Sequence, residues 1–403
     1  MQPPTSEDAP FRLRSVALAA YGPTIVNSVA HGAVLPVLAL RARDLGADFS
    51  TAALVVGLLG IGTLLASLPS GALVARIGER RALFFAGLVE GAALLGAALT
   101  ASVLALGVAV VVVGAAWSVF LIARQSFIID AVPPPYRARA LSTLGGSQRF
   151  GLFFGPLLGA GIIHVSGLAW VFAMAAAFSV AAAFLALLMP DLSAESRAEQ
   201  GRGGHASVRS VLLAQRHTLL TLGVAVMVIS ASRSVRTGLL PLWADHVGIS
   251  ASTTSLIFAM AAAIDIAFFY PGGWLMDRRG RAIVAVPVVA SVAVACFLLP
   301  LTSGPAGVTA VMALIAVGNG LGSGIVMTIG ADTAPTVGRS QYLGGWRLCG
   351  DIGGTGGPLL VGAVAAVAPL AAACAVVGAF ALVGTGWVGY WTRRLDRRLA
   401  APS

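Results

Sequence analysis

Apolar runs of about twenty residues follow one another along almost the whole sequence, at 15–39, 51–75, 81–102, 104–125, 142–163, 168–190, 217–242, 252–276, 282–301, 306–330, 343–367 and 369–391. Each is long enough to cross the hydrocarbon core of a bilayer as a helix. Backbone polar groups find no water there, so a spanning segment must satisfy them internally or in a closed barrel. Runs that are continuously apolar, not alternating, select the helix. The expected fold class is an all-α membrane protein of twelve transmembrane helices. Composition agrees: 58% of the 403 residues are apolar and 10% charged, against roughly 45–50% and 25% in soluble domains. A soluble enzyme, a disordered chain and a disulfide scaffold are excluded. Cys296, Cys349 and Cys374 all fall in apolar runs, which offers neither a disulfide framework nor metal-ligand spacing.

The net charge of +10 comes from 26 basic residues against 16 acidic ones. Every basic residue is Arg. Placement of Arg, not its number, decides what the charge means, because cytoplasmic loops of membrane proteins collect it. With the N-terminus in the cytoplasm, twenty fall in cytoplasmic tails and loops, from Arg12 and Arg14 through Arg76, Arg80, Arg81 and Arg124 to Arg397 and Arg398. Only Arg41 and Arg43 fall on the other side, and Arg149, Arg233, Arg236 and Arg347 lie inside spans. The expected topology puts both chain ends in the cytoplasm and leaves no nucleic-acid surface. The polar start, Met1 to Arg14, lacks the pattern of a cleaved signal, so the first span is expected to stay in place.

The two halves repeat at an offset of 202. Gly71 to Gly78 aligns with Gly273 to Gly280, Asp130 to Pro133 with Asp332 to Pro335, Arg137 with Arg339, and Gly155-Pro156 with Gly357-Pro358. Leu144-Gly-Gly matches Leu343-Gly-Gly and Arg149 matches Arg347 with small gaps. His31 stands five residues before Pro36 and Arg236 five before Pro241, which pairs Ser28 and His31 with Arg233 and Arg236. The expected organisation is a six-helix bundle over 1–190, a cytoplasmic linker over 191–216 and a second bundle over 217–403. Parallel repeats of this kind place a site at their interface near the midplane.

Gly273-Trp274-Leu275-Met276-Asp277-Arg278-Arg279-Gly280-Arg281 resembles the G-x-x-x-D-R-x-G-R loop signature of the major facilitator superfamily, and the resemblance extends over essentially the whole chain. It implies the two-bundle fold of that family, alternating access, and a path lined by spans 1, 4, 7 and 10. It also implies a gating motif of Gly273, Asp277, Arg278, Gly280 and Arg281. The first-half copy departs from the pattern, with Ala75 where the family has Asp, so a latch would rest on Asp277. Gly151, Gly155, Pro156 and Gly159 in span 5 resemble the antiporter signature of the twelve-span drug/proton exchangers. Small residues at this spacing let helices approach closely, and span 11 carries a similar run, Gly353 to Pro358, so packing alone also accounts for it.

A mid-span Arg or Asp costs about 2.5–3.5 kcal/mol on insertion scales, so such residues face a cavity or a partner. Asn27, His31, Arg233, Arg236, Asn319 and Arg347 are the candidates for a substrate path. Arg233 and Arg236, three apart, share a helix face and need water, acids or an anionic ligand; alternatively one snorkels and the other pairs. His31 alone is equally a packing residue, and Asn27 and Asn319 suit bridging between helices. Asp265, flanked by Ala and Ile, is the first candidate for proton coupling, with a constitutive Arg partner as the competing role. Asp351, four residues from Arg347, is either a coupling group or half of a structural pair, and Glu90 in span 3 ranks below Asp265.

No Asp-x-x-Asp pair, His cluster or phosphate loop G-x-x-x-x-G-K-[ST] is present, which argues against a membrane enzyme and a nucleotide-driven pump. A receptor built on a transporter fold is the remaining rival. The expectation is a non-enzymatic, monomeric secondary transporter without cofactor or metal. It moves a small organic solute by proton-coupled efflux or, alternatively, imports an organic anion by proton symport or facilitated diffusion. The family resemblance, short loops and an Arg- and Ala-rich composition place it in a bacterial inner membrane.

Overall fold

The computed structural model describes residues 17–132, 134–190, 208–335 and 339–400. The N-terminal Arg12 and Arg14, and most of the expected linker with Arg197 and Arg202, lie outside the described residues. Among the described residues, eleven helices are long and apolar enough to span a membrane, and a bent pair supplies a twelfth. That pair is span 1: Ala17–Val34 and Leu38–Asp44, bent by 44° at the break that holds Pro36, whose ring and missing N–H interrupt a helix. Spans 2 to 6 are Phe49–Ile77, Glu79–Leu99, Val103–Ala131, Pro134–Ser166 and Leu168–Ala186. A short helix, Val208–Ala214, precedes span 7, which runs from Arg216 to His246 with a π turn at Leu219–Gly223. Spans 8, 9, 11 and 12 are Ala251–Arg279, Ala282–Leu298, Arg339–Ala365 and Leu370–Ala400, and span 10 is split into Pro305–Leu321 and Ile325–Thr333. Among the described residues there is no β-strand.

Local chemistry repeats with the sequence. Asp48 caps span 2 by accepting from the Thr51 N–H, and Ser250, 202 residues on, caps span 8 through Thr253. The Thr51 hydroxyl and N–H hold the Asp48 carboxyl below its ordinary range. Gly78 and Gly280 turn the chain between spans 2 and 3 and spans 8 and 9 at φ of 85° and 90°, a region open to glycine.

Packing corrects two expectations. Span 4 continues as helix to Ala131, so Arg124 is buried within it and not a loop charge. The hydropathy run stops at the first Arg, whereas helix and burial continue past it. The second correction is the register of spans 1 and 7. A Cβ on Gly155 would strike the Val29 carbonyl and Ala33 nitrogen, and one on Gly357 the Ala231 carbonyl and Val235 nitrogen. The offset is 202 in each case, so His31 corresponds to Arg233, and Pro36 and Pro241 are not equivalent.

The halves meet where span 2 packs on span 11 and span 5 on span 8. One apolar core joins both halves at the face opposite the chain ends, taking in Val37, Val55, Leu240 and Ile257. Toward the terminal face the core divides into separate clusters, around Phe120 and Phe127 in the first half and Ile229 and Trp346 in the second. The apolar core is therefore continuous across the halves at one face and divided between them at the other.

Candidate functional site

Asp265 stands at the centre of the polar interior. Its Oδ2 accepts from Arg236 Nη1 at 3.1 Å and from Asn319 Nδ2 at 2.9 Å. Spans 7, 8 and 10 thus converge on one oxygen. The other, Oδ1, is buried without a hydrogen-bond partner. Arg233, one turn before Arg236, points elsewhere: its Nη2 donates to the Gly322 carbonyl at 2.6 Å, where span 10 loses its helix. That break exposes backbone carbonyls, and Arg233 takes one of them.

A cavity of about 90 Å³ lies against this cluster, at the seam between halves. Arg236, Thr237 and Asp265 form one wall; Arg149 and Pro156 of span 5 and Leu35 of span 1 form the other. Arg149 belongs to the site although sequence reasoning counted it only as a charge within a span. Its guanidinium lies over the Phe269 ring at 4.3 Å, and no ion pair with a described residue compensates it. The available signal was its equivalence to Arg347.

The first half holds a second polar group. Asn27 Nδ2 donates to Glu90 Oε2 at 3.0 Å, and both residues are fully buried. Glu90 points inward to span 1. His31 stacks on Trp117 with ring centroids 4.0 Å apart, and Arg124, behind the same ring, donates to Gln148 at 2.7 Å. His31, Arg233 and Arg236 do not form one cluster, because each has its own contact. Arg347 and Asp351 stand 3.8 Å apart along span 11, and Ser67 of span 2 reaches Asp351 across the halves at 3.4 Å.

The span 5 glycines act within the first half. A Cβ at Gly151 or Gly155 would overlap span 1 backbone, whereas Gly159 has room for one. Overpacking costs about 1–3 kcal/mol. Gly155→Ala is therefore expected to lower the melting temperature of the detergent-purified protein by several degrees, and Gly159→Ala to leave it unchanged; equal melting of both variants would contradict the packing role. The span 8 to 9 motif is tied differently from the expectation. Asp277 is exposed and has no ion pair with a described residue, while Arg278 lies over Trp274 at 4.3 Å. Asp396, which sequence reasoning missed, accepts from the Arg281 and Ala282 backbone N–H groups at 2.8 and 3.0 Å, and Arg281 pairs with Asp332 at 2.9 Å. Gly273 is open to a side chain, whereas a Cβ at Gly280 would collide with Asp396.

A family model described as Major Facilitator Superfamily matches residues 23–358. Among curated proteins, the Multidrug resistance protein MdtG of Serratia proteamaculans (strain 568) is 30% identical over 170 residues, 41% of each chain. That of Erwinia billingiae (strain Eb661) is 32% identical over 143 residues, 34% of this chain and 35% of its own. These matches span less than half the length of the relatives. A solved peptide transporter POT in complex with sulfate aligns over 95% of both chains at 16% identity and a TM-score of 0.77. A POT family transporter in complex with a thioalcohol-conjugated peptide aligns over 95% of this chain and 96% of its own, at 11% identity and a TM-score of 0.78. At those identities the likeness is one of fold.

Proposed function

The chain belongs to the major facilitator superfamily, and from that premise we propose that it exports a small organic solute by alternating access, driven by proton entry through Asp265. It is a multi-pass membrane transporter and not an enzyme. The observation that carries the coupling reading is the convergence of Arg236 and Asn319 on one oxygen of Asp265 beside the seam cavity. A carboxylate held by one cation and one amide, with its second oxygen buried and unpartnered, is a group whose protonation changes its neighbours. Neutral Asp265 releases Arg236; charged Asp265 recaptures it. The names of the MdtG relatives and the span 5 glycines support export. Arg149 and Arg236 on facing walls favour a second reading, symport of an organic anion with a proton, because an anion that takes Arg236 leaves Asp265 ready for a proton.

We infer that both chain ends lie in the cytoplasm, with the spans in a bacterial inner membrane. With Arg124 inside span 4, nineteen of the flanking Arg stand against Arg41 and Arg43, still the asymmetry of a positive-inside protein. In that orientation the face with the continuous core is external and the face where the core divides is cytoplasmic, which supports reading this conformation as inward-facing. A fluorescent-protein fusion at Ser403 is expected to light up, and an alkaline phosphatase fusion there to stay inactive; the reverse would invert the topology. Function is tested in proteoliposomes with an imposed pH gradient and a panel of labelled solutes. Accumulation that follows the gradient supports coupling, and flux indifferent to it in both directions removes it.

A further inference from the structure

We propose that the seam cavity binds an organic anion: one carboxylate, sulfonate or phosphonate head on a small apolar body. The proposal rests on the transport reading and not on its coupling; of the two directions it favours symport, because a protonated Asp265 leaves the cavity more positive for an anion. Arg236 pairs with Asp265 at 3.1 Å, and Arg149 and Arg233, which do not touch the carboxylate, lie close enough that the four charges act on one another. Arg is never deprotonated in such a setting, so the cluster carries an excess of two positive charges. Buried charge without compensation is costly, and no other described acid pairs with these three Arg. Glu90 is turned toward Asn27 and Asp351 toward Arg347.

The cavity is built to take that compensation. Arg149 and Arg236 enter from opposite halves, so an anion between them bridges the seam. Behind Arg236, outside the cavity lining, the buried Arg233 Nε is a donor with no hydrogen-bond partner. A guanidinium fork suits a planar or tetrahedral oxyanion. The remaining wall is apolar, formed by Leu35, Leu152, Phe258 and Ile266, which suits a hydrocarbon body over a bare inorganic ion; at about 90 Å³ the cavity holds the anionic head, and a ring-sized body requires the seam to widen, since benzene alone fills a cavity of about 150 Å³. The same cluster repels a lipophilic cation.

The test is equilibrium binding to the full chain in phosphatidylcholine nanodiscs. Benzenesulfonate, phenylphosphonate and benzoate are compared with phenyltrimethylammonium, which offers a similar ring with opposite charge. At least one anion is expected to bind and the cation not to. Arg149→Gln is expected to weaken the anion about tenfold with an unchanged melting temperature, and Arg149→Lys to recover part of the loss. Binding of the cation without the anions, binding of none of the four probes, or equal anion affinity in Arg149→Gln would overturn the proposal. Anion binding that disappears in phosphatidylglycerol discs assigns the cluster to a lipid headgroup and overturns it as a solute site. Coupling is read separately from gradient-driven flux, so the two readings fail independently.

Discussion

Asp265→Asn is expected to reduce pH-gradient-driven flux to the level of empty vesicles while exchange of labelled for unlabelled solute continues. Asn is nearly the same size, and its carbonyl oxygen accepts from Arg236 and Asn319 as Oδ2 does now. What disappears is the charge and the site of protonation. Removing one partner of a fully buried pair costs about 3–5 kcal/mol. Here the Arg236 side chain keeps 20% exposure, so the cost is smaller and the variant should still fold, which size-exclusion chromatography checks. Undiminished gradient-driven accumulation in Asp265→Asn would remove the acid from the coupling step. The sign of the pH effect on solute binding then separates export from symport. The charged groups facing Asp265 are Arg236 from span 7, Arg149 from span 5 and Arg233 one turn away, all cationic at every pH of interest. Protonating Asp265 therefore makes the cavity more positive. For exchange, lower pH must weaken solute binding, since solute and proton exclude one another; for anion symport it must strengthen it.

The spans and the repeat were legible because both are one-dimensional. Hydropathy gives length, and an offset of 202 aligns Gly78 with Gly280 and Asp130 with Asp332 without any knowledge of packing. The partners of buried polar residues were not legible, since they depend on helix rotation. Glu90 and Asn27 are 63 residues apart, and nothing in span 3 marks the face turned to span 1 when that span is apolar on most faces. Arg149 was recognisable as a cost within the membrane, but its place on the cavity wall needed the contact of span 5 with span 8. Asp396 sits among four Arg in the last span and reads as an ordinary tail acid until the fold brings it to the start of span 9. The Pro36 and Pro241 alignment misled because one Pro breaks its helix and the other is accommodated inside one.

Reversing Arg43 alone or Asp245 alone is expected to weaken closure of the face opposite the chain ends, and reversing both to restore it. Arg43 Nε and Asp245 Oδ2 are 2.9 Å apart, and the residues are 202 positions apart in sequence. They are therefore the same position in the two halves, meeting across the pseudo-two-fold relation between them. Identical charges there would repel; the sequence places opposite ones. Two further contacts obey the same relation. Ser50 donates to the Gly362 carbonyl at 2.9 Å and Ser252 to the Ala160 carbonyl at 3.0 Å, each half giving a hydroxyl to the other. Opening this face must break all three contacts. About a third of each side chain of the ion pair is exposed, so attraction is worth about 0.2–1 kcal/mol. Arg43→Asp or Asp245→Arg replaces it with repulsion of similar size, a several-fold change in the ratio of closed to open molecules. Spin labels at Ala101→Cys and Ser303→Cys, in a background with Cys296, Cys349 and Cys374 replaced by Ala, report the distance across this face. Each single reversal should broaden that distance to longer values and slow flux, whereas Arg43→Asp with Asp245→Arg should return both toward the parent. A double reversal that behaves as the sum of the singles would mean that the axis pair does not hold the face closed.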